Sequence, residues 1–95
     1  HNMNTELIDL AERIHKYAHL LSPSMLEILG EVLLCGETTY TQIMSPVDDS
    51  EESSGMLNAA FNSMKWAAYP QSSYGAAHHL AAGNRYMDDL ERLAT

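Results

Sequence analysis

Glu12, His15 and His19 form the group of residues best suited to bind a metal ion. On a helix, positions i, i+3 and i+7 lie on neighbouring turns, so a carboxylate and two imidazoles would face the same way. The Glu12 and His15 pair also matches the Glu-x-x-His element of carboxylate-bridged di-iron bundles. That element must occur twice beside two further glutamates, and here it occurs once, so only an oligomer could complete the site. Because helix surfaces rich in Glu and His produce such triplets by accident, we predict a solvated face and no metal or cofactor.

Nucleophilic catalysis has little support in the sequence. His78 and His79 are adjacent, so on a helix they would point about 100° apart and could not chelate a metal ion together. Cys35 lies in an apolar stretch between Glu31 and Glu37, whose charges do not favour a thiolate, so we expect a buried thiol. The sequence contains no glycine-rich phosphate loop, no CxxC and no HExxH. We therefore predict that the protein is not an enzyme.

The charge of the chain restricts its partners. Thirteen acidic residues against five basic ones give a net charge of −8, which repels nucleic-acid phosphates and anionic lipids alike. Four of the acids form a cluster without a neighbouring base: Asp48, Asp49, Glu51 and Glu52. The cluster lies in a polar, serine-rich segment, residues 45–55, that cannot bury apolar surface. We therefore predict an acidic loop whose carboxylates contact a partner.

Methionine and aromatic side chains are more numerous than a core of this size requires, and such residues are enriched at protein interfaces. Most of them are expected to pack in the core. Trp66, Tyr69 and Tyr74 surround a turn at Pro70. We expect these three side chains to remain partly exposed and to contact a partner.

The helix that begins after Ser22 is the clearest of the elements that could position these residues. Ser22 followed by Pro23 is typical of an N-cap with proline at the first helical position, and Gly36 suits the left-handed residue that ends a helix. The apolar residues follow the spacing of one broad buried face: Met25, Leu26, Ile28, Leu29, Val32 and Leu33. Because Leu34 and Cys35 would widen this face, we predict that the helix is central and contacted from several sides.

The rest of the chain is also predicted to be helical. The first expected element is a helix capped by Asn4 or Thr5 that runs to Ser22. After Gly36 a short helix from Thr38 or Thr39 is favoured over a short strand. A helix from Met56 to about Tyr69 follows, and then a last helical stretch from Ser72 to Thr95 with a break at Gly83 and Asn84. Between Val47 and Thr95 there is no valine, isoleucine or threonine, the residues that strands prefer. We therefore predict an all-α fold, a compact bundle of about five helices in one domain over residues 3–95. His1 and Asn2 are interpreted as vector-derived residues.

The stretch LSPSMLEILGEVLLCGETTYTQI, residues 21–43, resembles the start of a MarR-type winged helix-turn-helix domain. The likeness consists of a leucine, a Ser-Pro helix start, an apolar helix, a glycine and a short helix led by threonine. Extended over residues 21–69, the resemblance implies a degenerate helix-turn-helix core with residues 54–69 as the recognition helix. The polar residues that this helix would offer to DNA are Asn58, Asn62, Ser63 and Lys65.

The chain departs from that family where DNA binding would require a match. The segment before the mapped recognition helix carries four acids, the helix has one lysine, and no strand-rich wing follows. One lysine cannot anchor a helix in a DNA groove against an overall negative field. If the chain descends from MarR-type regulators, we expect one of two outcomes. Either DNA binding has been lost, or the acidic surface mimics DNA and binds a DNA-binding protein.

These observations favour a small acidic regulatory protein that binds and modulates another protein, with a basic nucleic-acid-binding factor as the expected partner. Antirepressors and anti-defence inhibitors are similar in size and charge, by analogy only. The alternative is a winged-helix-like transcription regulator that binds DNA directly through Asn58, Asn62 and Lys65. A metal-dependent helical bundle is a third possibility.

The cysteine content and the hydropathy of the chain predict its cellular compartment. A single cysteine cannot form a disulfide within the chain, which suits a reducing compartment. No signal peptide and no apolar run near the about 18 residues needed to span a bilayer are present. We therefore expect a cytoplasmic protein without a membrane partner, and we expect it to form a homo-oligomer.

Overall fold

A computed structural model describes residues 3–37, 52–69 and 75–94 of the chain. It contains α1 (Met3–His15), a short 3-10 helix (Ala18–Leu20), α2 (Pro23–Cys35), α3 (Glu52–Ala68) and α4 (Ala76–Ala94). No strand occurs within these ranges, which confirms the predicted all-α class. The Cα radius of gyration is 12.2 Å, against about 12.4 Å for a compact chain of this length. None of these helices is both long and apolar enough to cross a lipid bilayer.

Four α-helices are described where the sequence predicted about five. The short helix expected from Thr38 or Thr39 lies outside the described residues. The other difference is in α4, which runs without interruption through Gly83 and Asn84, so the predicted break there is wrong. A Cβ at position 83 would lie 2.7 Å from Leu10 Cδ2 and 3.3 Å from Ser63 Cβ. The glycine therefore serves the close approach of α1 and α3 to α4, and it does not end the helix.

Two further helix boundaries differ from the prediction. α1 ends at His15 and does not continue to Ser22, because the N–H groups of Lys16 and Tyr17 bond to carbonyls three residues earlier and tighten the last turn. α3 begins at Glu52, so residues 52–55 of the predicted acidic loop are helical. Local polarity did not reveal this start, since the first turn of a helix tolerates polar and acidic residues.

The predicted signals at both ends of α2 are confirmed. The Ser22 side chain accepts a hydrogen bond from the Met25 backbone N–H at 3.3 Å, and Pro23 stands in the first turn. Gly36 adopts the left-handed conformation with a φ of 74°. A Cβ at Gly36 would collide with the side chain of Asn4, near the start of α1. The end of α2 therefore lies beside the beginning of α1, and the two helices run antiparallel.

α1 and α3 each pack against the three other described α-helices, whereas α2 lies at the edge, so the prediction of a central α2 is wrong. α3 and α4 form the most extensive pair, and α1 packs against both of them as well as against α2. α2 packs mainly on α1, with a smaller contact to α3. All four helices contribute to one core, whose largest fully buried apolar side chains include Leu10, Ile14, Met25, Ile28, Phe61, Met64 and Met87.

Arg13 links α1 to α4 at the edge of this core. Its guanidinium donates hydrogen bonds to Asn84 Oδ1 at 2.8 Å, to Asp88 Oδ1 at 2.9 Å and to Glu91 Oε1 at 3.3 Å. The three acceptors stand at positions i, i+4 and i+7 of α4 and therefore share one helix face. Burial lowers the pKa of Arg13, but the hydrogen bonds and charges of Asp88 and Glu91 outweigh it, so the pKa is raised above its ordinary value. The guanidinium thus remains charged and holds the two helices in register.

Candidate functional site

Trp66 and Tyr69, two of the three aromatic residues predicted to contact a partner, lie together at the end of α3. Their ring centroids are 5.7 Å apart and the ring planes are inclined by 76°, an edge-to-face arrangement. Both side chains are half-buried, so part of each ring reaches solvent. Tyr74 lies outside the described residues. The pair can contribute to a contact, and its role as one stays a prediction.

The acidic cluster falls largely outside the described part of the chain. Asp48, Asp49 and Glu51 are not among the described residues, and Glu52 is the first residue of α3. Their predicted contact with a partner stays a prediction.

The polar residues of α3 that direct DNA binding would use are largely withdrawn from the surface. Lys65 is fully buried and Asn58 is 8% exposed. Asn62 is half-buried, and its Oδ1 has no hydrogen-bond partner within the described ranges. Burial lowers the pKa of Lys65, whose ammonium lies 5.0 Å from the ring centroid of Trp66. In this conformation Lys65 does not offer its charge to a phosphate outside the bundle.

The residues considered for a metal site are not aligned on one helix. α1 ends at His15, and His19 lies in the short 3-10 helix, so the helical spacing that would stack His19 over Glu12 is absent. Across the part of the chain that the structure describes, no group of three His, Cys, Asp or Glu side chains could hold a metal ion. His78 and His79 meet edge to face with centroids 5.4 Å apart. Burial, and then the charge of His78, lower the pKa of His79.

One side of α2 is exposed, contrary to the prediction that Leu34 and Cys35 extend its buried face. Leu34 is 88% exposed, Leu26 is 38% exposed, and Cys35 is an exposed free thiol. The cause is the peripheral position of α2, which is covered mainly by α1. Only four of its apolar side chains are buried: Met25, Ile28, Leu29 and Val32.

We call this side of the helix the α2 outer face and define it by Leu26, Glu27, Gly30, Glu31 and Leu34, of which Gly30 and Glu31 are half-buried and the others exposed. Helical spacing places Leu26, Gly30 and Leu34 in one row and Glu27 and Glu31 in the adjacent row. No lysine or arginine occurs from residue 22 to residue 37. The face is therefore apolar along one row and acidic along the next.

Sequence reasoning missed the α2 outer face because α2 is apolar on nearly all sides, a pattern that usually indicates a buried helix. A signal was nevertheless present. Glu27 and Glu31, four residues apart, mark the side of the helix that faces water. Leu34 follows Glu27 by seven residues and Glu31 by three, so it belongs to that same side.

No protein-family model, no curated protein and no solved structure matches this chain significantly.

Proposed function

We propose that this chain is a small acidic regulatory protein that binds and modulates another protein, with a basic nucleic-acid-binding factor as the partner. The observation that supports this most is an excess of carboxylates over available cations. The chain carries 13 acidic residues and five basic ones. A surface of this sign attracts basic proteins and accelerates their encounter, while it repels nucleic acid itself.

One of the five basic residues is withdrawn from the surface, and two others are bound to carboxylates. Lys65 is buried. Arg13 is bound to the carboxylates of Asp88 and Glu91, and Arg92 forms an ion pair with Asp89 at 2.7 Å. The carboxylates that bind these two arginines all belong to α4, and such pairing leaves the net charge of the chain at −8.

Apolar contact would supply affinity that long-range charge does not. The α2 outer face provides exposed leucines, and Trp66 and Tyr69 provide partly exposed rings. Tyr74 and the predicted acidic contacts, Asp48, Asp49, Glu51 and Glu52, belong to the same proposal. Formation of a homo-oligomer and action in the cytoplasm are further parts of it. Light scattering of the purified chain tests the first, and fractionation of cells of the source organism tests the second.

The test of the proposed function is an affinity pull-down of the tagged chain from lysate of its source organism, with and without nuclease, followed by mass spectrometry. We expect one protein to be retained in stoichiometric amount after nuclease treatment. Retention only while nucleic acid is intact would refute the proposal and support the winged-helix-like alternative. That alternative also predicts a steep loss of DNA affinity with added salt.

A further inference from the structure

We infer that the α2 outer face docks a basic amphipathic helix of the partner, an inference that rests on the proposed function. Leu34 is 88% exposed and stands two turns after Leu26, which is 38% exposed. Leu33, beside them, is only partly buried. The fold thus leaves a row of apolar side chains in water on the most peripheral of the described helices, and burial against a second apolar surface would be favourable.

Gly30 leaves a gap in this row, because glycine has no side chain. It lies between Leu26 and Leu34, and a Cβ built at Gly30 would meet no atom within 4 Å. Glycine in mid-helix lowers helix stability, and here the fold itself does not require it, because the backbone is helical and the space is open. Gly83 differs, since Leu10 would block a Cβ there. An open glycine between two exposed leucines allows a side chain of another helix to approach the α2 backbone closely.

The negative charge beside the apolar row favours a partner helix that carries basic residues. Glu27 and Glu31 form a parallel acidic row, and Glu37 follows at the exposed end of α2. A partner helix with apolar residues at alternating steps of three and four, and with lysine or arginine along one flank, would pair both rows at once. α2 has 13 residues and is therefore about 20 Å long, enough to support about four turns of such a helix.

A second copy of this chain is a poorer occupant of the same face. Two α2 outer faces packed together would bring Glu27 and Glu31 of one copy near the same residues of the other. Residues 22–37 of either copy contribute no lysine or arginine to such a contact. Like charges at an interface oppose association, so the face fits a basic partner better than it fits itself.

The experiment uses the full chain labelled with nitrogen-15 and a synthetic peptide of about four helical turns, with leucines at helical spacing and lysines along one flank. NMR chemical shifts map the contact, and fluorescence anisotropy of the labelled peptide gives its Kd. We expect shifts confined to the α2 outer face. A peptide of the same composition in scrambled order, and one with glutamate in place of lysine, should bind at least about tenfold more weakly.

Matched variants separate docking from general charge attraction. Leu34→Ser and Gly30→Leu should each weaken binding at least about tenfold, and neither position is packed against the core. Leu93→Ser changes another exposed leucine, and Ala81→Leu adds similar bulk at an exposed position of α4, so both should leave Kd unchanged. Circular dichroism checks that all four variants remain folded.

Three results would overturn the inference: equal binding of the scrambled peptide, an unchanged Kd in Leu34→Ser and Gly30→Leu, or α2 shifts that arise from self-association on concentrating the chain alone. The pull-down separates these failures from failure of the proposed function. If wild-type chain and Leu34→Ser retain the same nuclease-resistant protein equally, the function stands and the docking face is refuted. If the wild-type chain retains no protein, the proposed function itself fails.

Discussion

Replacement of Arg13 by methionine should destabilise the fold by about 2 kcal/mol. Methionine keeps the aliphatic part of the side chain and loses the bonds to Asn84, Asp88 and Glu91. The charge-assisted hydrogen bond to Asn84 Oδ1, at 2.8 Å from a guanidinium that is 24% exposed, contributes about 1 kcal/mol or slightly more. The carboxylate side chains of Asp88 and Glu91 are 70% and 43% exposed, so solvent screens them and each pair adds about 0.5 kcal/mol.

Urea unfolding followed by helical circular dichroism measures this loss. With a slope of about 2 kcal/mol per molar urea, the midpoint should fall by about 1 M. Arg92→Met is the matched control, because Arg92 is 75% exposed and pairs with Asp89 within one helix, and it should cost less than about 0.5 kcal/mol. Arg13→Lys should restore only part of the stability, since an ammonium lacks the planar fork that reaches three acceptors. A loss for Arg13→Met no larger than that for Arg92→Met would refute the assigned role.

Three other predictions concern stability and its dependence on pH. Gly83→Ala should cost about 1 kcal/mol or more because its Cβ would overlap Leu10, whereas Gly30→Ala should stabilise the chain by about 0.5–1 kcal/mol; the same sign in urea unfolding of both variants would contradict this. The lowered pKa of His79 means that the folded chain binds this proton less tightly than the unfolded chain, whose ordinary value is 6.5. The free energy of unfolding should therefore rise with pH in the window just below 6.5, and His79→Gln should flatten that rise. An unchanged dependence of this free energy on pH in His79→Gln would contradict the role assigned to His79. Burial likewise lowers the pKa of Lys65, so stability should gain an increment as pH rises from the folded pKa to the ordinary 10.5, and Lys65→Met should lack this increment in paired unfolding curves.

Features that depend on neighbours along the chain could be predicted from the sequence. Ser22 caps α2 and Gly36 ends it as expected, because both roles are decided by backbone geometry within a few residues. The all-α class also followed from composition, since the sequence between Val47 and Thr95 contains none of the β-branched residues that favour strands.

Features that depend on which helices meet could not be predicted in the same way. Leu34 and Leu29 look alike in the sequence, yet Leu29 is buried and Leu34 is exposed, because α1 covers only one side of α2. Gly83 shows the same limit, since its role in close packing becomes visible only when Leu10 is placed opposite it. Trp66 and Tyr69 could be placed near one turn from the sequence, but the α2 outer face required the tertiary arrangement.

The peripheral position of α2 separates the residues that encode folding from those available for recognition. Leu26 and Leu34 are exposed, and a Cβ at Gly30 would meet no atom within 4 Å. Replacement of these residues should therefore cost the fold little, and a library randomised at the three positions should consist mostly of folded chains. Such a chain has high evolvability. New binding specificities can arise on the α2 outer face while the core, to which all four helices contribute, stays unchanged.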